Sequence, residues 1–438
     1  MRGLRSIIIS AVALAALGGY IFFIDSERPD TPPKDKVFAV SADAIEELTI
    51  KAVGGETTTL HKTEGAWLLV EPVQADADAN EPSSITNSLA TLEVQRVVDE
   101  NPFSIADFGL EPARIEIAFK ATSETESGRL LIGDKTPTGT DLYAMREGEP
   151  TVFLLSSFIE NTFNRTSFDL RDKRVLNMDR SAVDSVEVTG GGTNLLFVKH
   201  DDAEWNIVKP LAARGDFGAI DGLLSAIDST QVQQFIAPET ADLAQYGLHE
   251  PIASVTLSGD GAQSILTIGK ALEGTYYAKD SNRPLIFTVG ENLLRDFQKD
   301  LFEFRRKDVF EFRTYNATRL EFARADGTVT LEKTSASDGQ DVWKTESGEE
   351  LETSKAEDPL MKFSNLRADS FDAVQPAALE TPDLTVTAVY DDGEKTEVVR
   401  FAKSGSDVYA VRQDEPGAAK LPAIAYEDAL KALDTLEE

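Results

Sequence analysis

The three tryptophans of this chain are evenly spaced, and this spacing restricts what the chain can fold into. Trp67, Trp205 and Trp343 are separated by two equal intervals of 138 residues. Equal spacing of so rare a residue indicates internal duplication, because each copy of a repeat carries the same residue at the same phase. The chain of 438 residues is also long enough for about three domains of roughly 150 residues. We therefore predict three tandem repeats.

Other motifs recur at nearly the same spacing in the first two copies. Each copy opens with two strand-like segments around a glycine turn, Gly54-Gly55 in the first and Gly190–Gly192 in the second. Three further pairs match, namely Phe108–Pro112 with Tyr246–Pro251, Leu130–Gly133 with Leu266–Gly269, and Tyr143-Ala144 with Tyr277-Ala278. The third copy keeps Trp343 and Tyr409-Ala410 but has lost most of the Gly-Leu turn. A degenerate last copy is typical of a capping repeat.

The pattern inside each copy predicts an α+β fold. Short runs of apolar and β-branched residues, bounded by Gly, Pro and Asp, predict strands that pair mostly antiparallel. Helices are predicted at Ile85–Leu92 and, near the end of the chain, at Tyr426–Leu433. The predicted boundaries are 1–24 for a membrane anchor, 25–39 for a stalk, 40–180 for repeat 1, 181–314 for repeat 2 and 315–438 for a degenerate repeat 3.

The N-terminal stretch Ser6–Ile24 predicts a transmembrane helix, because it has no charged residue over 19 positions. Such a helix covers about 28 Å, close to the thickness of the hydrocarbon core. A cleaved signal peptide is the alternative, but the segment ends in the bulky run Tyr20–Ile24 and no Ala-x-Ala site follows. Arg2 and Arg5 precede the stretch, and basic residues stay inside, so we predict a cytoplasmic N-terminus.

Small residues recur along one face of this predicted helix. Ala11, Ala15 and Gly19 are spaced four residues apart, and small residues at that spacing let two membrane helices approach closely. One interpretation is that the stripe binds a helix of a transporter subunit. The other is that Ala and Gly are simply frequent in bacterial anchors. The sequence leaves both interpretations open.

Charge and cysteine content exclude several classes of protein. The chain has 43 basic and 76 acidic residues, a formal net charge of −33. A surface this acidic repels nucleic acid, so nucleic-acid binding is excluded. The absence of cysteine excludes disulfides, thiolate metal sites and cysteine nucleophiles. A cysteine-free extracytoplasmic protein of this size is typical of bacteria, so we predict a single-pass inner-membrane protein with most of the chain in the periplasm.

A short acidic motif invites comparison with a calcium loop. Asp76, Asp78 and Asn80 have the alternating spacing of such a loop, but the sixth position is Glu81 instead of glycine and the twelfth is not glutamate. Asp78 and Asp216 each stand 11 residues after a tryptophan, just before a predicted helix. A carboxylate there accepts hydrogen bonds from the free N–H groups of the helix start, so capping is favoured over metal binding.

No catalytic, cofactor-binding or metal-binding motif is recognised elsewhere. Gly190–Gly192 lacks the Gly-Lys-Ser/Thr ending of a phosphate loop and is interpreted as a hairpin turn. The tryptophans could be platforms for sugar stacking, but their fixed place in strand-like segments favours a core role. The three histidines have no metal-ligand spacing: His61, His200 and His249.

A local basic island falls at each predicted repeat boundary of this acidic chain. It contains Arg171 and Lys173 in the first copy and Arg305 and Lys307 in the second. The island either joins successive repeats or marks a surface for a partner. Its position at the boundary favours the join.

Together, the tryptophan block, the Gly-Leu-x-Pro turn, the Ile-Gly strand, the Tyr-Ala strand and the Arg-x-Lys boundary resemble an uncharacterised bacterial repeat family. Members of that family carry one N-terminal transmembrane helix and are often encoded beside gliding-motility-type ABC transporter subunits. The resemblance covers residues 40–438 and is closer in the first two copies than in the third. It implies an accessory, non-enzymatic role at the cell envelope, and it brings no catalytic residue with it.

The leading hypothesis from the sequence is a membrane-anchored, extracytoplasmic interaction protein that acts with an ABC-type exporter through a permease-type membrane subunit. One rival is a periplasmic module that binds a glycan or lipid, and another is an envelope hydrolase that uses carboxylates. An enzyme should have clustered acids in one repeat that the other repeats lack. An interaction protein should not.

Overall fold

Three nine-stranded sheets follow one another along the chain. The computed structural model describes residues 35–123, 126–200, 204–238, 242–335 and 341–436. The chain divides into two compact units: one ends at Lys173 and contains the first sheet, and Arg174–Glu438 contains the other two. The parts of the chain that contain the first, second and third sheets are called repeats 1, 2 and 3 below. The prediction of three tandem α+β units with antiparallel sheets is confirmed.

The strands recur in the same order in each repeat. Repeat 1 contains β1 (Ile45–Lys51), β2 (Thr57–Thr63), β3 (Ala66–Glu71), β4 (Ala75–Asp76), β5 (Arg96–Asp99), β6 (Ile115–Ala121), β7 (Gly128–Lys135), β8 (Asp141–Arg146) and β9 (Val152–Ser156). Repeat 2 contains β10 (Ser185–Gly190), β11 (Thr193–Lys199), β12 (Trp205–Lys209), β13 (Ala213–Arg214), β14 (Gln234–Pro238), β15 (Ala253–Gly259), β16 (Ala262–Leu272), β17 (Thr275–Asp280) and β18 (Leu285–Gly290). Repeat 3 contains β19 (Ala317–Ala323), β20 (Thr328–Ser335), β21 (Asp341–Thr345), β22 (Glu350–Leu351), β23 (Ser370–Asp372), β24 (Leu384–Tyr390), β25 (Lys395–Ser404), β26 (Asp407–Arg412) and β27 (Ala418–Leu421).

The described α-helices are fewer than the strands. They are α1 (Glu81–Thr91), α2 (Ile159–Phe163) and α3 (Ser167–Leu170) in repeat 1, α4 (Phe217–Ser229), α5 (Glu291–Phe297) and α6 (Leu301–Phe304) in repeat 2, and α7 (Thr353–Ser364) and α8 (Ala423–Asp434) in repeat 3.

Each sheet has the spatial order β4-β3-β2-β1-β6-β7-β8-β9-β5, with β10–β18 and β19–β27 arranged in the same way. The centre of the sheet is the antiparallel pair β1–β6, which joins two meanders that are distant in sequence. Burial alternates strictly along the central strands β15 and β24, as expected when one sheet face covers a core. The helices cover that face, and Ile85 and Leu89 of α1 are fully buried.

The three tryptophans occupy equivalent strands, β3, β12 and β21, at the edge of the core of each repeat. Trp67, Trp205 and Trp343 are 8%, 4% and 1% exposed. Their equal spacing therefore reflects one structural position used three times, and the predicted core role is confirmed.

The Gly-Leu turn packs directly against the Ile-Gly strand. Gly109 and Gly247 have positive φ angles of 67° and 68°, a conformation that favours glycine. The carbonyl before each turn lies against the strand glycine, so a Cβ at Gly133 would collide with the Phe108 oxygen, and the same holds for Gly269 and Tyr246. These motifs recur together because the backbone of the turn packs directly on the sheet.

The N-terminal predictions lie outside the described residues. This applies to the anchor at 1–24, with Ala11, Ala15 and Gly19, and to most of the stalk. Among the residues that the structure describes, no helix is both long and apolar enough to cross a membrane. Val37 and Val40 are buried in the core of repeat 1, and the backbone of Lys36 pairs with that of Glu93 in an isolated antiparallel β-bridge.

Candidate functional site

Buried charges gather where repeat 2 meets repeat 3. Strand β13 ends in Arg214, and Arg305 follows α6, so both arginines stand on the face of repeat 2 that is turned to repeat 3. Repeat 3 supplies Glu311 from the segment that enters it, together with a set of residues on and after its later strands, Glu397, Arg412 and Glu415. We call these six residues the Arg–Glu cluster.

Glu415 is held by both arginines of repeat 2. Its carboxylate accepts from Arg214 Nε, and it also accepts from Arg305 Nη2 at 2.9 Å. Arg305 donates further to the Pro416 carbonyl at 3.1 Å, and its guanidinium lies 3.8 Å from the centroid of the Phe371 ring. The three charged side chains are only 5–11% exposed. Charge-assisted hydrogen bonds of this kind are stronger than neutral ones, especially away from water.

Arg214 also holds the chain that enters repeat 3. It donates to Glu311 Oε1 at 3.2 Å and to the Asp308 carbonyl at 2.8 Å. One guanidinium therefore binds the entering segment and, through Glu415, the loop between β26 and β27. Because these two parts of repeat 3 are about a hundred residues apart, the contact fixes repeat 3 against repeat 2 at two points.

Repeat 3 contains a second arginine–glutamate pair, Arg412 and Glu397. Arg412 donates to Glu397, whose side chain is 1% exposed, and to the Val309 carbonyl at 3.1 Å. The Glu397 carboxylate accepts from the backbone N–H groups of Glu311, at 3.0 Å, and Phe312, at 2.9 Å. A buried carboxylate is tolerated here because its oxygens are fully hydrogen-bonded.

Glu311 is kept ionised by its surroundings. Burial raises the pKa of its carboxyl, but the nearby guanidinium groups of Arg214, Arg412 and Arg306 outweigh burial, so the pKa lies below its ordinary value. The Tyr390 hydroxyl donates to Glu311 Oε2 at 3.1 Å, and burial together with this carboxylate raises the pKa of Tyr390.

The space left inside the cluster is small. A cavity of ≈ 20 Å³ is bordered by Arg214, Arg305, Arg412 and Phe371, and this holds about one water molecule. A wider cleft of ≈ 500 Å³, open to solvent, lies beside Trp205 and the start of α4. Among the described residues, no group of three or more His, Asp or Glu side chains is placed to bind a metal ion.

The structure brings one residue of the predicted basic island into the cluster. Arg305 of the basic island joins repeat 2 to repeat 3, as its position predicted. The Lys307 side chain instead contacts residues that precede it closely in sequence. It donates to the Glu303 carbonyl at 3.3 Å, and its ammonium lies 4.6 Å from the centre of the Phe302 ring. His61 pairs with Glu47 on the outer face of the sheet, at 3.1 Å.

The predicted caps are confirmed, with one difference. Asp216 is the N-cap of α4 and accepts from the Ala219 N–H at 2.9 Å. Asp78 accepts from the N–H groups of Asn80 and Glu81, at 2.8 and 3.0 Å, but the residue at the N-cap position of α1 is Asn80. The predicted hairpin turn is also confirmed, since Gly191 and Gly192, with φ angles of 57° and 84°, join β10 to β11.

Arg214 and Glu415 were not predicted as functional residues. A signal for Arg214 exists in the repeats themselves. Arg214 of β13 pairs with Asn206, and Asp76 of β4 pairs with Leu68, each the residue after a tryptophan. The charge of the side chain is therefore opposite at two otherwise matching positions. A change of that kind is visible only once the repeats are aligned strand by strand.

Comparison with known proteins identifies the family of the chain. Residues 67–206 and 205–383 match the family described as a domain of unknown function, DUF4340. The chain belongs to this family. Both DUF4340 matches begin at a tryptophan, Trp67 and Trp205. No curated protein matches the chain.

Solved structures with partial likeness are sliding clamps. The DNA polymerase III subunit beta from Borrelia burgdorferi, in complex with a natural product, is 10% identical and has a TM-score of 0.17, with 88% of this chain and 92% of that chain covered. The DnaN sliding clamp from Pseudomonas aeruginosa, bound to griselimycin, is 8% identical with a TM-score of 0.13, and 89% of this chain and 94% of that chain are covered. Scores this low carry no argument about fold or function.

Proposed function

We propose that this DUF4340 protein is a membrane-anchored, extracytoplasmic interaction protein of a bacterial inner membrane. In this proposal Ser6–Ile24 is the anchor, its stripe of Ala11, Ala15 and Gly19 contacts the permease-type membrane subunit of an ABC-type exporter, and the repeats extend outside the cytoplasm. The protein performs no catalysis of its own. The apolar N-terminal stretch and the basic residues before it support the anchor and its orientation.

The observation that carries the proposal is that the recurring residues are used to build and join repeats. The tryptophans fill the cores, the paired glycines allow a turn to pack on the sheet, and Arg305 binds repeat 3. Motifs that recur for structural reasons are typical of repeat proteins, which act by presenting extended surfaces to partners.

The Arg–Glu cluster contains a feature that would favour an enzyme, because it gathers three partly or fully buried carboxylates in repeat 3. Their environment argues against catalysis. Glu415, Glu397 and Glu311 are each bound by arginine, and the pKa of Glu311 lies below its ordinary value. A general acid at neutral pH needs a raised pKa and room for a substrate. The pKa of Glu311 is lowered instead, and the cavity inside the cluster holds about one water molecule, so the cluster supports a joining role.

The test of the proposal is whether the anchor carries the contact with the exporter. Ala11, Ala15 and Gly19 are changed together to Leu in the full-length chain, which keeps the segment apolar and closes the face that small residues leave open. Membrane insertion and abundance should be unchanged, and co-purification with the permease subunit should fall at least about tenfold.

The matched control changes Ala13 to Leu, since this residue falls on the opposite side of the predicted helix. It should co-purify at the wild-type yield. A triple variant that still co-purifies like the wild type would show that the stripe is not the contact. If no permease-type subunit co-purifies with the wild-type protein either, the exporter itself is the wrong partner.

A further inference from the structure

Repeat 2 covers one corner of repeat 3, which is formed by the edge strand β23 and the loop between β26 and β27. Arg305 donates to Glu415 in this loop at 2.9 Å, and its guanidinium lies 3.8 Å from the centroid of the Phe371 ring on β23. Phe302, three residues before Arg305, places its ring centroid 6.1 Å from that of Phe371. An aromatic residue and an arginine on one short segment therefore bind an edge strand and a Glu-Pro loop together.

Repeat 1 contains the same corner. Val97 of β5 corresponds to Phe371 by strand register, because each lies opposite a residue that pairs in turn with the alanine of the Tyr-Ala strand. Glu149 corresponds to Glu415, since each lies three residues after the end of a matching strand, β8 or β26, and directly before a proline. We call β5 together with Glu149 the β5 corner.

The β5 corner is open to solvent. All of β5 is exposed, and Val97 and Val98 are 47% and 37% exposed. Glu149 accepts from Arg146 Nη1 at 3.3 Å, but its side chain is 49% exposed, whereas that of Glu415 beneath repeat 2 is 8% exposed. Apolar side chains on an open edge strand favour association, so proteins usually cover or charge such edges. Within the described part of repeat 1, the corner has the residues of an interface but not the cover that repeat 3 receives.

The segment that leads into repeat 1 does not carry the side chains that cover the corner in repeat 3. Asp35 enters repeat 1 where Lys307 enters repeat 3, because the carbonyl of each accepts from an N–H just before the edge strand, at 2.9 and 2.8 Å. Counting back from these two residues, Leu301–Arg305 corresponds to Pro29–Pro33. Pro29–Pro33 contains neither an arginine nor an aromatic residue. The matching place in the sequence therefore offers nothing that fits the β5 corner.

The position of Asp35 also indicates where an occupant would come from. The proposed anchor ends at Ile24, 11 residues before Asp35, and a fully extended chain of that length spans at most about 40 Å. The Asp35 carbonyl binds the N–H of Val94, two residues before β5 begins. The β5 corner is therefore within reach of the extracytoplasmic part of a membrane protein beside the anchor. The net charge of −33 repels anionic lipid headgroups, so a polypeptide fits better than the lipid surface.

We propose that the β5 corner is a second docking surface for the permease-type subunit, in addition to the stripe on the anchor. Its occupant is an extracytoplasmic segment of that subunit that carries an aromatic residue and an arginine, as Phe302 and Arg305 do in the contact between repeats 2 and 3. The arginine binds Glu149, and the aromatic ring packs on Val97. This inference rests on the proposed function, because the anchor is what places the corner beside the subunit.

The test is site-specific crosslinking in intact cells. Val97 of the full-length chain is replaced by the photoreactive residue benzoylphenylalanine, and the chain is expressed together with an epitope-tagged permease-type subunit. Irradiation should give an adduct that contains both proteins. The same replacement at Val53 is the control, because Val53 is 44% exposed and follows β1, which lies five strands away from β5 in the sheet. Its adduct should be at least about tenfold less abundant.

A charge reversal tests the predicted arginine. Glu149→Arg, combined with the photoreactive residue at Val97, should lower the yield of the adduct at least about fivefold, since like charges then meet at the contact. Glu321→Arg is the matched control, because Glu321 is 41% exposed and lies on β19 of repeat 3. It should leave the yield unchanged. If Glu149→Arg does not accumulate in the membrane, Glu149→Gln removes the charge with little change of shape and should lower the yield in the same direction.

The outcomes separate this inference from the proposed function. If the subunit co-purifies with the wild-type chain but forms no adduct with the residue at position 97, the β5 corner is not a contact and the proposed function stands. An adduct with a second copy of the chain instead, or a yield that Glu149 variants do not change, would also overturn the inference. If the subunit does not co-purify with the wild-type chain at all, the proposed function and the inference both fail.

Discussion

Gly269 and Gly222 differ in what a methyl group would meet. At Gly269 a Cβ would collide with the Tyr246 carbonyl, which belongs to the turn that packs on the sheet. At Gly222, inside α4, a Cβ would meet no atom within 4 Å. We therefore expect Gly269→Ala to destabilise by about 1–3 kcal/mol. Gly222→Ala should stabilise by roughly 0.4–1 kcal/mol, because alanine favours the helix. Urea titration of both variants measures the difference, and an equal effect would show that the turn does not press on the strand.

The burial of a second single residue, Tyr426, makes the stability of the protein depend on pH. Burial raises the pKa of its hydroxyl, the Asp383 carboxylate adds to the rise and Arg324 opposes it. The folded state therefore keeps this proton to a higher pH than the unfolded chain, so stability is present below a pH of about 10 and is lost as the pH rises further.

Tyr426→Phe should make that alkaline loss shallower. At neutral pH it should change the free energy of unfolding by less than about 0.5 kcal/mol, since the hydroxyl has no hydrogen-bond partner among the described residues. The measurement is a urea titration at a series of pH values from 7 to about 11. Tyr315→Phe is the control, because that side chain is 79% exposed. An unchanged alkaline slope in Tyr426→Phe would contradict the assignment.

Single residues were predictable where the repeat made them visible. The tryptophans, the glycines of the turn and Arg305 recur, so their structural roles follow from recurrence. The contact between Arg214 and Glu415 is different, because these two residues meet only where the chain returns to the same corner 201 residues later. Sequence spacing carries no information about such a contact, since the pairing depends on how two repeats stack.

At the scale of elements, the start of α4 depends on one carboxylate. Asp216 accepts from the Ala219 N–H, which otherwise has no partner within the helix. We expect Asp216→Ala to cost about 1 kcal/mol, and Asp216→Asn to retain most of the stability because its side-chain oxygen can still accept. Thermal unfolding of both variants distinguishes them. If Asn is as damaging as Ala, the charge of Asp216 matters more than its hydrogen bond.

Elements differed in how readily the sequence revealed them. Strands such as β6 have apolar residues at alternate positions, and helices such as α8 have them at helical spacing, so both were predicted. The edge strands β4, β13 and β22 are two residues long and have no periodicity that a sequence pattern could reveal. Yet β13 carries Arg214. The part of the site that was missed therefore lies on an element too short to predict.

At the scale of the whole molecule, the sequence predicted the number of repeats but not the order of the strands in each sheet. The number of repeats followed from the tryptophan spacing. The nine-stranded order did not, because the central pair β1–β6 brings together segments separated in sequence by a helix and the four strands β2 to β5. Pairing across such distances is set by which apolar faces can share one core, and local patterns do not encode it.

The last prediction concerns which side of the membrane the repeats occupy. Arg2 and Arg5 lie before the apolar stretch, so the repeats should be outside the cytoplasm. The chain has no cysteine, so one introduced cysteine reports its own location. Ser347 is exposed in the turn after β21, and Ser347→Cys should react with a membrane-impermeant thiol reagent in intact spheroplasts. Gly3→Cys should react only after the membrane is permeabilised. Labelling of Gly3→Cys but not Ser347→Cys in intact cells would reverse the orientation, and the exporter would then have to be contacted from the cytoplasm.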